Sequence, residues 1–242
     1  MERIKEKISI IMPAYNEEEI IEKNLIETID TFETFKSCFE IIVVDDGSSD
    51  ATWQKIMNIS ARFPCVKAVR NLRNYGKGRA LKKGFRFARG EYVVFLDSDI
   101  DLHPIQISTF FDIMEINNAD VVIGSKRHPN SVVNYPLHRK ILSNVYFFII
   151  KLFFNLPIHD TQTGLKLFKY KVLKDVFPKV IVKAFAFDLE LLLYAHKFGY
   201  RIAEAPVIIN SQRPQSRIRL KDVFLIAKDT IFVFFRTLAF KN

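Results

Sequence analysis

The sequence predicts an α/β fold with a mostly parallel sheet and helices on both of its faces. Three observations carry that prediction. Short apolar runs alternate with stretches of helical periodicity, as in chains that build parallel sheets through helical crossovers. Three of the runs end in polar or acidic clusters. The length and composition suit one packed core: 242 residues, 49% hydrophobic and 26% charged. That is enough chain for one full α/β domain, or a domain with a small appendage, and too apolar for a disordered one.

The elements follow in order. Ile8 to Met12 is an apolar run closed by Pro13 and reads as a buried strand. Glu17 to Phe35 has helical periodicity through Ile20, Ile21, Leu25, Ile29 and Phe32. Ile41 to Val44 is a second strand, closed by the turn Asp45-Asp46-Gly47-Ser48-Ser49-Asp50, which also suits the start of a helix over Thr52 to Phe63. Val66 to Val69 is a third strand. A helix after Gly78 carries Leu81, Phe85 and Ala88 on one face. Tyr92 to Leu96 and Val121 to Ile123 complete the strand set. No internal repeat or low-complexity linker interrupts it.

The C-terminal half differs in texture. Ile141 to Ile158 is apolar and aromatic, broken by Ser143, Asn144, Lys151, Asn155 and Pro157. From Ile218 to Phe240 apolar residues are interspersed with Arg219, Lys221, Asp222, Lys228, Asp229 and Arg236. Both read as amphipathic helices, because neither reaches the roughly 18–20 uncharged apolar residues that cross a bilayer. The expected division is a catalytic unit over 1–217, with an interfacial helix near 141–158, and an amphipathic helix over 218–242. The charged start, Met1 to Lys7, is unlike a signal peptide. Cys38 and Cys65 have no metal-type or redox spacing and are expected as free thiols in a reducing compartment. A net charge of +9 calls for an anionic partner: nucleotide, lipid surface or nucleic acid.

The chemistry concentrates at the carboxyl ends of the predicted strands, where open α/β sheets bind ligands. Asp97-Ser98-Asp99 follows the strand ending at Leu96. Alternation on an extended chain puts Asp97 and Asp99 on one side, and Asp101 joins them if the chain stays extended. Converging carboxylates repel unless a cation sits between them, and hard oxygen donors suit Mg2+ or Mn2+ bridging to a diphosphate. Asp45-Asp46 offers acceptors for a ribose or base edge. Pro13-Ala14-Tyr15-Asn16-Glu17 offers an aromatic ring and a carboxylate. Each of these alone is also compatible with a turn or helix cap. Arg62 to Arg89 holds ten Lys or Arg and no acidic residue. Within it Gly76-Lys77-Gly78 is a basic turn entering a helix, the kind of place that binds phosphate. A solvated basic face is the plainer reading.

Together the ordered motifs Pro13-Ala-Tyr-Asn-Glu17, Val43-Val-Asp-Asp-Gly-Ser-Ser-Asp50, Gly76-Lys-Gly78 and Asp97-Ser-Asp99 resemble those of family 2 glycosyltransferases with the GT-A fold, a Rossmann-like sheet. Gly124-Ser-Lys-Arg127, Asp160-Thr-Gln-Thr-Gly-Leu-Lys166, Phe187-Asp-Leu-Glu-Leu191 and Arg213-Pro-Gln-Ser-Arg217 look like the polyprenyl-phosphate sugar synthases, which include dolichyl-phosphate mannose and glucose synthases. The resemblance covers nearly the whole chain. It implies that Pro13, Tyr15, Glu17, Val44 and Asp46 hold the base and ribose, and that Asp97, Ser98, Asp99 and Lys77 face the diphosphate. Asp97, Asp99 and Asp101 are its implied metal ligands. Lys126 or Arg127, with Arg213 and Arg217, are its implied phosphate grips. Asp160, Gln162 and Gly164 line the implied sugar side, with Asp188 and Glu190 near it. Three positions depart from the family pattern: Lys126 precedes Arg127 where Arg is common, Gln215 replaces a common Gly, and Asp101 replaces a common amide or His.

The resemblance implies an inverting, Mg2+- or Mn2+-dependent transfer of a hexose from UDP-glucose or GDP-mannose to a polyprenyl phosphate. The expected catalytic set is Asp97, Asp99, Arg213 and Arg217. A phosphate monoester is already largely dianionic at neutral pH, its second pKa being about 6, so it calls for positioning cations and no general base. A lipid acceptor gives the amphipathic helices a purpose at a membrane surface. The expected location is the cytoplasmic face of a membrane, as a peripheral protein. The alternative acceptor is a glycan or glycolipid hydroxyl. A basic nucleic-acid-binding module is the remaining alternative; no recognised nucleic-acid motif is present, and no nucleic-acid partner is expected.

Overall fold

The computed structural model describes residues 7–133, 147–148, 150–151, 153–154, 156–182, 186–209 and 228–236. Arg213 and Arg217 lie outside the described residues, as does most of the stretch from 141 to 158 and much of that from 218 to 242. Within those stretches, 147–148, 150–151, 153–154 and 228–236 are helical, while 156–158 are not.

Besides those helical stretches, nine strands and six α-helices have both ends among the described residues. In order they are β1 (Ile8–Ala14), α1 (Ile21–Thr34), β2 (Phe39–Asp45), α2 (Thr52–Arg62), β3 (Val66–Arg70), α3 (Lys77–Phe85), β4 (Tyr92–Phe95) and α4 (Ile107–Ile116). Then follow β5 (Val121–Ser125), β6 (Val132–Val133), β7 (Lys166–Lys169), α5 (Tyr170–Val176), α6 (Phe187–Lys197), β8 (Ile202–Pro206) and β9 (Ile208–Ile209). The main sheet runs β3-β2-β1-β4-β7-β5-β8. Its pairings are parallel except at β7, which lies antiparallel to both β4 and β5. A small β6-β9 pair stands apart.

Strand alternation divides the core into two layers. Ile8, Ile10, Met12, Ile41, Val43, Val94 and Leu96 face α1, α2 and α4. Ile11, Ile42, Val44, Val93 and Phe95 face α3, α5 and α6. Both faces of the central strands are buried, which is why they read as unbroken apolar runs. The strands and helices predicted between Ile8 and Ile123 thus appear in place. The sequence reading did not anticipate α4, α5, α6, β6, β8 or β9, nor, in the middle of the sheet, β7. This strand carries Lys166 and Lys169 at its ends, so it has little of the apolar signature, and it is inserted between β4 and β5 by tertiary pairing.

Candidate active site

The ends of β1, β2 and β4 bring their polar clusters to one edge of the sheet. Two adjoining clefts open there. One, of about 230 Å3, is lined by Pro13, Tyr15, Glu17, Asp46, Gly76 and Lys77 on its outer part. The other, of about 140 Å3, is lined by Lys126, Gln162, Thr163, Gly164, Asp101 and Ile209. Asp97 and Asp99 line both clefts and form the wall they share.

The larger cleft is held by Asp46. This carboxylate is buried and accepts hydrogen bonds from Asn71 Nδ2 at 2.6 Å, Gly76 N at 2.7 Å and Tyr75 N at 3.1 Å. It therefore folds the 71–76 loop toward the start of α3. Gly76 adopts φ +94°, a conformation that favours glycine, while giving its N–H to Asp46. Asp45, wholly buried, pairs with Arg70 Nε at 2.9 Å and accepts from Ser48 N at 3.1 Å. Tyr15 is 40% exposed and available to a ring-shaped ligand. Val44 is fully buried in the core, in register with Pro13, and its side chain does not reach the cleft.

The shared wall is a turn. Ser98 and Asp99 occupy it, and Ile100 has φ +45°, an outlying conformation for a β-branched residue. The chain does not stay extended past Asp97, so simple alternation does not carry Asp101 into line. Asn24 on α1 donates to the Ser98 carbonyl at 2.8 Å and ties the turn to the buried helix. Among the described residues no three His, Cys, Asp or Glu form a closed metal-type cluster. Lys77 Nζ lies 2.5 Å from Asp97 Oδ1.

Electrostatics around this wall are strongly coupled. Burial disfavours the Lys77 ammonium, but Asp97, Asp188 and Asp99 outweigh that and raise its pKa. Asp99 is pushed up to about 6, first by burial and then by the charges of Asp97 and Asp101. Behind them lies a second pair. Lys166, fully buried, donates to Asp188 Oδ1 at 2.7 Å and to the Thr163 carbonyl. Burial pulls its pKa down while Asp188 opposes that shift.

The donor set suits a hard divalent ion on physical grounds. Asp99 carries repulsion that a cation would relieve, and an open wall of carboxylates beside a cleft matches ions that take few protein ligands and complete their shell with phosphate oxygens. Asp97 and Asp99 would hold it, with Asp101 close by in the turn.

On the second cleft, Asp160 accepts from Lys126 N at 3.0 Å and Gln162 N at 2.9 Å, and Lys126 Nζ lies 3.5 Å from it. Arg127 turns elsewhere: its guanidinium stacks 4.4 Å from the Phe147 ring centroid. Glu190 does not line either cleft. It is fully buried, accepts from Ile181 N and Val182 N at 2.8 Å each, and pairs with Arg236. Its role in the fold is to clamp the 181–182 segment and the helical stretch 228–236 to α6.

Gly164 makes a close approach. A Cβ built there would lie 2.1 Å from Asp97 Oδ2, while Lys77 holds the other oxygen. Gly164→Ala is expected to displace the Asp97 carboxylate and lower turnover at least tenfold, at a stability cost of about 1–3 kcal/mol. Turnover and denaturation midpoint measured together check this; an unaffected turnover would refute the contact.

The sequence reading placed Lys166 inside a motif without giving it a task, and it passed over Asn24 and Asn71. Asn24 left a legible signal, a polar residue on the apolar face set by Ile21, Leu25 and Thr28. Asn71 left none, because its partner Asp46 is 25 residues away.

With this geometry in place, comparison with known proteins is informative. Residues 9–177 match the model of glycosyl transferase family 2, and the chain belongs to that family. It is therefore a glycosyltransferase. A dolichyl-phosphate beta-glucosyltransferase of Trichomonas vaginalis is 32% identical over 93% of this chain and 72% of its own length. One from Dictyostelium discoideum is 30% identical over 96% and 75%. The fold matches glucosyl-3-phosphoglycerate synthase of Mycobacterium tuberculosis, solved with Mn2+, uridine diphosphate and phosphoglyceric acid. The TM-score is 0.72 at 20% identity, over 94% of this chain and 77% of that one. The sheet is thus that of the GT-A glycosyltransferases.

Proposed function

We propose that this protein transfers glucose from UDP-glucose to the phosphate of a polyprenyl lipid at a membrane surface. The observation that carries the reading is the pair of clefts sharing Asp97 and Asp99, one suited to a nucleotide and one to the sugar and its acceptor. The glucosyl donor and lipid acceptor are supported by the names of the relatives over most of both chains.

In this reading Tyr15 and Glu17 take the nucleoside, over a loop fixed by Asp46. When bound, Mg2+ or Mn2+ on Asp97 and Asp99 supplies Lewis-acid neutralisation of the diphosphate. Lys77 offers an ammonium to the same leaving group as its charge develops. Gln162 and Lys126, backed by Asp160, border the sugar. Asp188 acts from behind through Lys166 and Lys77. The acceptor phosphate arrives already ionised, so the protein positions it, with Arg213 and Arg217 as the grips, and direct displacement inverts the anomeric centre. In the same reading residues 1–217 make up the catalytic unit, and the helical stretch 228–236 belongs to the amphipathic segment that follows it.

Membrane docking has support in exposed aromatics. Phe148, Phe153, Phe232 and Phe235 are exposed, and Phe153 packs 4.8 Å from Phe234, joining the two helical stretches. No helix among the described residues is long and apolar enough to cross a membrane. A peripheral position on the cytoplasmic face fits the net charge of +9.

The test is a panel of radiolabelled UDP-glucose, GDP-mannose and related donors with a polyprenyl phosphate, read as counts extracted into organic solvent. Transfer from UDP-glucose is expected. Transfer only to a saccharide hydroxyl would overturn the lipid assignment. Arg217→Ala is expected to raise the acceptor KM by about tenfold, the scale of one charge-assisted phosphate contact, with the donor KM little changed. An unchanged acceptor KM would remove Arg217 from that role.

A further inference from the structure

Lys77 is placed in a way that the donor-binding role alone does not require. Its ammonium lies 2.5 Å from Asp97 Oδ1, and both residues line the same cleft. The close approach of Gly164 to the other oxygen of Asp97 leaves that carboxylate less room on one side. Lys77 is also the first residue of α3, anchored behind Gly76, whose N–H is fixed by Asp46. The ammonium is thus delivered to Asp97 by two constraints that owe nothing to a ligand.

The surrounding charges are unbalanced. Asp97, Asp99, Asp101 and Asp188 stand against Lys77 and Lys166, and Lys166 is already committed to Asp188 and the Thr163 carbonyl. The remaining excess of negative charge is what a divalent ion would neutralise. Yet an ion seated on Asp97 must first meet the ammonium already there.

We propose that Lys77 is a tethered stand-in for the cation, holding Asp97 until the sugar nucleotide arrives. The bare protein then binds a divalent ion weakly, since the ion and the ammonium compete for one carboxylate. The donor's diphosphate removes the competition by giving the ammonium a new anionic partner. Cation and donor therefore enter as one unit, and the ordered carboxylate wall does not collapse by self-repulsion between turnovers. This inference rests on the cation-binding reading of Asp97 and Asp99 given above.

The experiment is a titration of Mn2+, followed by the electron paramagnetic resonance signal of the free ion, with and without UDP. Wild type, Lys77→Met and Lys77→Arg are compared, with folding of each checked by circular dichroism. Wild type is expected to bind Mn2+ at least about tenfold more tightly with UDP than without, since one competing charge is relieved at close range. Lys77→Met is expected to bind Mn2+ about tenfold more tightly than wild type without UDP, and to gain less than wild type on adding UDP, the gain that remains coming from the phosphate oxygens. Lys77→Arg, which keeps the charge, should retain weak binding without UDP and so separates charge from shape. Equal or weaker Mn2+ binding by folded Lys77→Met without UDP overturns the proposal while leaving the cation site standing. Absence of Mn2+ binding by wild type with either UDP or GDP overturns both. If Lys77→Met does not fold, tight UDP-independent binding by Lys77→Gln supports the proposal and weak binding overturns it.

Discussion

Asp99→Asn is expected to abolish transfer and, at the same time, to make the metal-free protein more stable. The two effects share one cause. Asp99 sits in a partly buried turn, and burial first, then the charges of Asp97 and Asp101, hold its pKa near 6 in place of the ordinary 3.8. Ionising it in the fold at neutral pH costs about 1–3 kcal/mol by linkage, allowing for solvent screening. The amide removes that cost and one charge from the wall. A rise of a few degrees in the melting temperature is expected for a chain of this size. Wild type should regain the difference when Mn2+ and UDP are added, and the variant should not. Full turnover by Asp99→Asn, or an unchanged melting temperature without metal, would count against the placement of Asp99.

The sign with pH follows from the same shift. Between about pH 4 and 6 the folded chain keeps a proton on Asp99 that the unfolded chain has lost, so this group's contribution to stability falls as pH rises through that window. Cation binding moves the other way, weakening as pH falls below about 6 because the ion must displace that proton. Mn2+ affinity of wild type should therefore fall, and the melting-temperature gap between metal-free Asp99→Asn and wild type should shrink, as pH is lowered from about 6 to 4.

Lys166→Met carries the largest expected loss of stability. The ammonium is 1% exposed and holds both Asp188 and the Thr163 carbonyl. Removing it leaves a buried carboxylate without its cation, at a cost of about 3–5 kcal/mol. Replacing both partners is far milder, because a packed apolar pair of similar volume substitutes well for a buried ion pair. Lys166→Met with Asp188→Leu is thus expected to recover most of the lost denaturation midpoint. It should not recover turnover, since Lys77 has then lost the second carboxylate that favours its charge. A loss of under about 1 kcal/mol in the single variant would show that the pair is not a buried one.

Much of this was legible in the chain. The strands with both faces buried announced themselves as apolar runs, and the motif clusters at the ends of β1, β2 and β4 marked the sheet edge that binds ligand. Motif order was enough for the family. The antiparallel strand β7 was not legible, because Lys166-Leu-Phe-Lys169 is short and its pairing with β4 and β5 is set by partners far away in sequence. Glu190 illustrates the converse. It lies two residues from Asp188 on one helix, yet it faces Arg236 and the 181–182 amides and not the clefts. Adjacent positions on a helix point in different directions, and a motif does not say which neighbour each will meet.

The sequence by itself determined the five parallel-sheet strands of the N-terminal half, the burial of both sheet faces and the family, since these depend on local periodicity and on residue types at short spacing. The tertiary structure alone decided how the charges at the site are shared. Lys77, at the start of α3, meets Asp97 beyond the end of β4, and Gly164 approaches the other oxygen from far along the chain. The reason is physical: a carboxylate's charge state and its freedom to bind a cation depend on groups within a few ångströms, and folding, not sequence distance, sets which groups those are.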